Sequence, residues 1–318
     1  MISSLRDLQY NFLYTDYKTL LEIAENIEQY YNFFSELKYN KDGTPKLKNG
    51  VQQTRPFHVP NKGLKKIQTS ILKNILEKIP LPPYVIGGVK KRSSIINGAI
   101  HKGKKYKFQT DLSNFFPSIS ASMVYGMFRS YNFSHTVADL LTKLTTLKTK
   151  EAIRGDCLPQ GTSTSPYLAN LVFLRVDKQL MEIIEKEKLT YSRYFDDLTF
   201  SRNICFQKII PELIRIINSN GFAISRKKTT YKCGRTNITG VDVGINTIRP
   251  TQDFYEKKTL PMNENQKRGR LMYMDGVKRT NETKTKSIIR KLLNPDYSGQ
   301  SMPVIPGESM PLYQRTNG

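Results

Sequence analysis

The chain has 318 residues, enough for one large domain or two to three small subdomains, and 38% of them are hydrophobic, which is sufficient to fold and excludes wholesale disorder. Lys and Arg number 50 against 27 Asp and Glu, a formal net charge of +23. No apolar run approaches the ~18 residues of a membrane-spanning helix, and the acid-containing start MISSLRDLQYNFLYTDYKTL lacks the apolar centre of a secretory leader.

Residues 1–38 read as a helical extension, with Leu20, Leu21, Ile23, Ala24, Ile27 and Tyr31 at helix-like spacing. Asn49-Gly50, between two short segments, predicts a hairpin. Lys65 to Ile79 predicts an amphipathic helix with Ile67, Ile71, Leu72, Ile75 and Leu76 inward, ended by Pro80, Pro82 and Pro83. A basic, Gly-punctuated segment follows over 84–110, then a strand from about Tyr106 to Leu112. Helices are expected over 121–150, from Pro166 to about Lys188 and over 207–220; a strand pair is expected around Tyr194–Asp197, and short strands over 222–245. From about 263 the chain is basic again, and its last 25 residues are rich in Pro, Gly and Ser, which predicts an irregular tail. Helices and strands mix without βα alternation, so the fold class is α+β.

Cys157, Cys205 and Cys233 are odd in number and far apart, which offers no disulfide framework and suits a reducing cytosol. His58, His101 and His135 are equally scattered, so a His-based zinc site is not expected. The positive charge favours a polyanionic partner, nucleic acid above all.

Three segments carry chemistry. In LTYSRYFDDLTFS, residues 189–201, Leu189, Tyr191, Arg193 and Phe195 alternate with Thr190, Ser192, Tyr194 and Asp196 at strand period. Adjacent Asp196 and Asp197 at a hairpin tip repel each other, and the pair reads equally as a plain turn or as a site for a hard divalent cation such as Mg²⁺. In FQTDLSNFFPSI, Asp111 ends a β-like run; it is either a local cap or a third carboxylate for a two-metal phosphoryl-transfer site. In LPQGTSTSP, residues 158–166, Gly161 allows close backbone approach, Gln160 offers an amide, and Ser165 before Pro166 reads as a helix cap.

In order and spacing these segments resemble a reverse transcriptase. FQTDLSNFFPSI is similar to the family's first catalytic motif, LPQGTSTSP to its LPQG…SP motif, YFDD to its YxDD box and GFAISRKKT, residues 221–229, to the following Gly…Lys-Thr motif. The resemblance covers about residues 55–230. It implies a right-hand polymerase: fingers over 39–105 with a basic segment at 84–105, a palm over 106–245 whose antiparallel sheet carries the YxDD hairpin, and a helical thumb with an irregular tail over 246–318. It implies two Mg²⁺ ions on Asp111, Asp196 and Asp197, with Lys228 as the acid that protonates departing pyrophosphate. Arg55 is the implied grip on the triphosphate, helped by Lys46 or Lys48. Gln160 and Gly161 line the implied nucleotide pocket, and Phe116 is the implied ring against the incoming sugar.

Asn97-Gly98-Ala99-Ile100-His101 resembles the NAxxH segment of bacterial retron reverse transcriptases, with Gly98 for the usual Ala. Asn237-Ile238-Thr239-Gly240-Val241 resembles their VTG segment, with Ile for Val. YFDD carries Phe195 where many retron enzymes have Ala. The resemblance implies a cognate noncoding RNA template, priming from a guanosine 2′-OH and a branched RNA–DNA product (msDNA). It also implies a cytoplasmic role in anti-phage defence beside a separate effector protein. Asn97, His101, Thr239 and Gly240 are the expected nucleic-acid contacts, with Lys267, Arg268 and Arg270 in a basic stretch that also holds Lys257, Lys258, Lys278, Arg279, Lys284, Lys286, Arg290 and Lys291. Two rivals remain at this point: another bacterial defence-associated reverse transcriptase class, and a non-catalytic RNA-binding scaffold.

Overall fold

The computed structural model describes residues 2–40, 43–256, 262–283 and 287–288. Lys257, Lys258, Lys284, Lys286, Arg290, Lys291 and the tail with Pro303, Pro306 and Pro311 lie outside the described residues.

The N-terminal extension is helical only to Tyr30. Helix α1 (Leu5–Asp7) runs into a π-helical stretch at Leu8–Leu13, and α2 (Tyr17–Glu25) is capped by Asp16, whose carboxylate accepts the Thr19 N–H. The expected helix does not continue over 31–37. The aromatic run YNFFSEL forms strand β1 (Tyr31–Leu37), because it pairs antiparallel with β4 (Thr54–Pro60), in register from Tyr31 opposite Pro60 to Leu37 opposite Thr54. Between them β2 (Leu47–Lys48) and β3 (Val51–Gln52) form the expected hairpin, with Asn49 at φ 51° and Gly50 at φ 77°, the two positive values that an Asn-Gly turn supplies. The β1–β4 pairing therefore joins the extension to the segment after residue 39, across the boundary expected there. Helix α3 (Lys62–Ser70) is capped by Asn61 and continues through a π-helical stretch to Ile75, burying Leu64, Ile67, Ile71 and Ile75.

The central sheet is antiparallel. Strand β5 (Tyr106–Ser113) lies at its heart, after the short helix α4 (Ser94–Ile100) and before α5 (Phe115–Ser118). Two helices, α6 (Ala121–Ser130) and α7 (His135–Lys143), fill the expected helical region, and the long α8 (Ser165–Lys186) follows. Helix α8 starts at Ser165 with Pro166 in its first turn. The hydroxyl that accepts the Ser165 N–H is that of Thr162, so the cap is not Ser165. Strands β6 (Thr190–Tyr194) and β7 (Asp197–Arg202) form the Asp-Asp hairpin; α9 (Ile210–Ser219), β8 (Ala223–Ile224) and β9 (Thr230–Cys233) complete the unit. The order is β6-β7-β5-β8, with β9 also pairing to β5. Phe108, Tyr191 and Phe200 stack on the buried face, and Phe115, Phe173 and Phe222 tie α5, α8 and the end of α9 together behind it.

A smaller antiparallel sheet, β10 (Thr236–Ile238), β11 (Val241–Val243) and β12 (Ile248–Pro250), has its own core with Ile86, Ala99, Ile100 and Val277. Strand β12 lies beyond the boundary expected at 245, and β11 pairs with it directly. Helix α10 (Gln252–Glu256) and helix α11 (Glu264–Glu282) follow, and α11 packs on α4 and β12. Gly98 sits where α4 meets β11: a Cβ there would stand 3.0 Å from Val243 Cγ2 and 3.1 Å from Val241 Cγ1. Two β-branched neighbours thus explain glycine at this position. Among the described residues no helix is long and apolar enough to cross a membrane.

Candidate active site

Asp111 and Asp197 face each other across β5 and β7 in register, and the Asp196 carbonyl accepts the Leu112 N–H at 2.9 Å. The sheet therefore brings the three expected aspartates together from two distant segments. Lys228, in a 3₁₀ turn before β9, donates to Asp111 Oδ2 at 2.6 Å. Asp111, Asp197 and Lys228 line one cavity of about 210 Å³, together with Gln109, Lys232 and Thr239.

The electrostatics show a site with surplus negative charge. Burial and the neighbouring charge of Asp111 push the Asp196 carboxyl up, against the pull of Lys228 and Arg55. Burial, then the charges of Asp196 and Asp111, push Asp197 to about 6. Burial lowers Lys228, but its hydrogen bond to Asp111 and the charges of all three aspartates outweigh this and hold it above its ordinary value. Among the described residues no three His, Cys, Asp or Glu side chains close on a metal-sized point. The donor chemistry nonetheless fits a hard divalent cation: three carboxylates, two of them held off their charged form by burial and mutual repulsion, a cost that such a cation relieves.

A cationic wall stands near the carboxylates. The His58 N–H donates to the Gln160 carbonyl at 2.7 Å, and a Cβ on Gly161 (φ 108°) would stand 3.0 Å from the His58 carbonyl oxygen. This contact docks β4, which carries Arg55, onto the loop holding Gln160 and Gly161. Arg55 is near enough to lower the Asp196 pKa, and Lys38 feels the charges of Arg55, Lys46 and Lys228. Lys38 is a member of this wall that its sequence position, at the end of an expected helix, did not signal. Lys46 stands with it, and the side chain of Lys48 lies outside the described residues. Phe116 is partly buried against Phe115, at a ring separation of 5.6 Å.

The Asp-Asp turn has a support that the sequence reading missed. Ile86 N–H donates to the Arg193 carbonyl, and Arg193 N–H to that of Tyr84, at 2.7 and 2.8 Å. Phe195, at φ 56°, lies so close that a Cβ on Gly87 would stand 2.6 Å from its nitrogen, and one on Gly88 2.7 Å from its ring. The signal was Gly87-Gly88 itself, which allows a backbone to pass against an aromatic ring.

Asn97 and His101 do not fit the expected role of nucleic-acid contacts. Both are fully buried. Ser192 Oγ donates to Asn97 Oδ1 (2.6 Å), so His101 Nε2 must donate to Ser192 Oγ (2.8 Å), and His101 Nδ1 accepts from Ser201 Oγ (2.7 Å). Asn97 Nδ2 then donates to Thr239 Oγ1 at 3.0 Å. Burial, followed by the charges of Lys107 and Lys104, drives His101 down to about 3, so the ring is neutral at any working pH. The two retron-like segments thus meet each other beside the Asp-Asp hairpin. Thr239 reaches the cavity wall, and Gly240 is exposed, its carbonyl accepting from Tyr273. On α11, Arg268 is exposed, Lys267 pairs with Glu264 at 2.7 Å, and Arg270 folds back over the Phe254 ring at 3.9 Å.

The profile of a family described as reverse transcriptase (RNA-dependent DNA polymerase) matches residues 41–267. The chain belongs to the reverse transcriptase family. Within it the chain is of the retron type. It is 32% identical to the retron Ec86 reverse transcriptase of Escherichia coli over 67% of this chain and 66% of the relative. It is 32% identical to the retron Mx65 enzyme of Myxococcus xanthus over 63% and 49%, and 34% identical to the retron Se72 enzyme of Salmonella heidelberg over 57% and 48%. The alignments span about half to two thirds of these relatives' own length. Among solved structures, this reverse transcriptase is similar at TM-score 0.44 and 11% identity to telomerase from Candida albicans in complex with a TWJ fragment of telomeric RNA, over 86% of this chain and 61% of that one.

Proposed function

We propose that this chain is an RNA-directed DNA polymerase that copies a cognate structured noncoding RNA into DNA joined to it through a 2′-OH branch. The observation that carries the reading is the meeting of Asp111, Asp196 and Asp197 on the adjacent inner strands and their turn, beside Lys228 and within reach of the charge of Arg55. In this reading the central sheet is the palm, the β1–β4 hairpin belongs to the fingers and α11 to the thumb. The carboxylates would hold two Mg²⁺ ions, which when bound supply charge at the α-phosphate of a dNTP. Arg55 and Lys38 bind the triphosphate, Arg55 through its planar fork of donors. Lys228, protonated because three carboxylates hold it so, is set to give a proton to departing pyrophosphate. Kinship with retron enzymes supports the template class, and an anti-phage role beside a separate effector protein belongs to the same proposal.

Primer extension on an RNA template tests the activity. Asp196→Asn is expected to lose about a thousandfold or more in rate, the scale of several kcal/mol of lost charge stabilisation. Equal extension by both proteins overturns the site. Sequencing of copurifying nucleic acid tests the template, and linear DNA without a branched RNA overturns that part. Phe116→Ala is expected to raise ribonucleotide incorporation relative to dNTPs; unchanged selectivity removes Phe116 as the sugar gate.

A further inference from the structure

A second concave surface lies on α3 and the π-helical stretch after it. Its cavity, about 420 Å³, is larger than the one beside Asp111 and shares no lining residue with it. Lys62, Lys65, Lys66 and Lys73 line it, and all four are exposed. Among the described residues no acidic side chain lines it, and none of the four ammonium groups has a carboxylate partner. Lys62 to Lys73 spans roughly 16 Å of helix at 1.5 Å per residue. The inward face of the same helix, with Leu64, Ile67 and Ile71, is locked in the main core, so the lysine face is rigidly presented.

The lining also says what such a charge row takes. It has no aromatic side chain, so it offers no stacking platform for unpaired bases. Point charges on a helix suit the phosphates of a duplex. Thr69 Oγ1 donates to the Lys65 carbonyl at 2.7 Å and Asn74 Nδ2 to the Phe12 carbonyl at 2.7 Å. The Thr69 donor and one of the two Asn74 N–H groups are thereby used, and the oxygens Thr69 Oγ1 and Asn74 Oδ1 remain as acceptors at the groove. A DNA backbone brings no donor to them, whereas an RNA backbone brings a 2′-OH at every sugar.

We propose that this groove is a docking site for double-stranded RNA, separate from the catalytic cavity, holding a stem while another part of the same or a second RNA is copied. The inference goes beyond the polymerase reading and does not depend on it. The test uses the full chain and two labelled probes of one sequence, a duplex RNA and a duplex DNA. Lys62, Lys65, Lys66 and Lys73 are changed together to Gln. A control variant carries Gln at Lys148, Lys150, Lys186 and Lys208, which removes the same charge from exposed positions elsewhere.

The groove variant is expected to lose at least about tenfold in affinity for the RNA duplex and to flatten the log–log salt dependence by about 3, since each phosphate contact contributes close to one counterion. The control variant is expected to lose far less, and the RNA effect to exceed the DNA effect. Equal losses in the two variants reduce the groove to bulk charge and overturn the proposal, and equal losses on RNA and DNA overturn its assignment to RNA. A readout without substitution is lysine acetylation of the wild-type protein. The duplex RNA is expected to protect the four lysines, and unprotected lysines overturn the proposal. Extension of a short preannealed primer by the groove variant is expected at the wild-type rate, which separates this site from a failed polymerase.

Discussion

Strand β6 and the turn it leads into handle charge in opposite ways. In the strand, Arg193 and its partner Asp177 on α8 are both fully buried and fully engaged. The guanidinium donates to both Asp177 oxygens and to Asn170, lies 4.8 Å over the Phe173 ring, and Tyr191 adds a hydroxyl to the same carboxylate at 2.7 Å. At the turn, Asp196 and Asp197 are partly exposed and pushed up, Asp196 by burial and the charge of Asp111, Asp197 by burial and the charges of Asp196 and Asp111. One chain segment thus carries a satisfied charge that fixes the hairpin and, three residues on, a pair of carboxyls raised by burial and by neighbouring charge. In the proposed reading a cation would use the second, held in place by the first.

Breaking the buried Arg193–Asp177 pair is expected to cost most in stability. Arg193→Met leaves Asp177 as an uncompensated buried charge, a loss of about 3–5 kcal/mol that urea unfolding reads directly. Replacing both with apolar residues of like size is expected to recover much of this. A double variant as unstable as the single one contradicts the view that pairing, not the shape of the two side chains, is what matters there.

The next effect lies in the Ser201–His101–Ser192–Asn97–Thr239 chain. His101→Leu leaves the buried Ser201 hydroxyl without its acceptor, at about 1–3 kcal/mol for the unsatisfied group, while Ser192 keeps its bond to Asn97. His101→Gln keeps both a donor and an acceptor and is expected to be milder. Neither variant is expected to change the salt dependence of RNA binding, because the ring does not reach solvent. A flattened salt slope in His101→Gln contradicts its buried placement beside the hairpin.

This chain of bonds also shows what was legible in the sequence. The four polymerase-like segments announced Asp111, Asp196, Asp197 and Lys228, because carboxylates at a strand end and a hairpin tip are local patterns. The strand and helix periods of β5, β6, β7, α3 and α8 were equally local. Two readings failed for a non-local reason. Residues 31–37 carry enough apolar side chains to read as helix, and only the partner strand at 54–60 makes them a strand. His101 on a lysine-rich segment reads as exposed, and only Ser192 and Ser201, nearly a hundred positions away, give it buried partners. Lys38 and Gly87-Gly88 were missed likewise: their roles come from Arg55 and Phe195 across the fold.

The smallest effect is the most telling about the turn. In its folded state Asp197 is raised from 3.8 to about 6, so between about pH 4 and pH 6 the folded chain binds more protons than the unfolded one. Stability in chelator is therefore expected to fall as pH rises through that window and then level off. Asp197→Asn removes the repelled charge, so above pH 6 the variant is expected to be more stable than wild type, by on the order of 1–2 kcal/mol after allowance for solvent screening at a partly exposed group. The difference is expected to vanish only below about pH 3, where the wild-type carboxyl is protonated in both states. Adding Mg²⁺ at pH 8 is expected to raise the unfolding midpoint of wild type more than that of the variant, since a cation stabilises the ionised triad and the variant has lost one ligand. A wild type that is the more stable protein in chelator at pH 8 would mean that Asp197 is paired rather than repelled, and the contrast between the buried pair and the turn would fail with it.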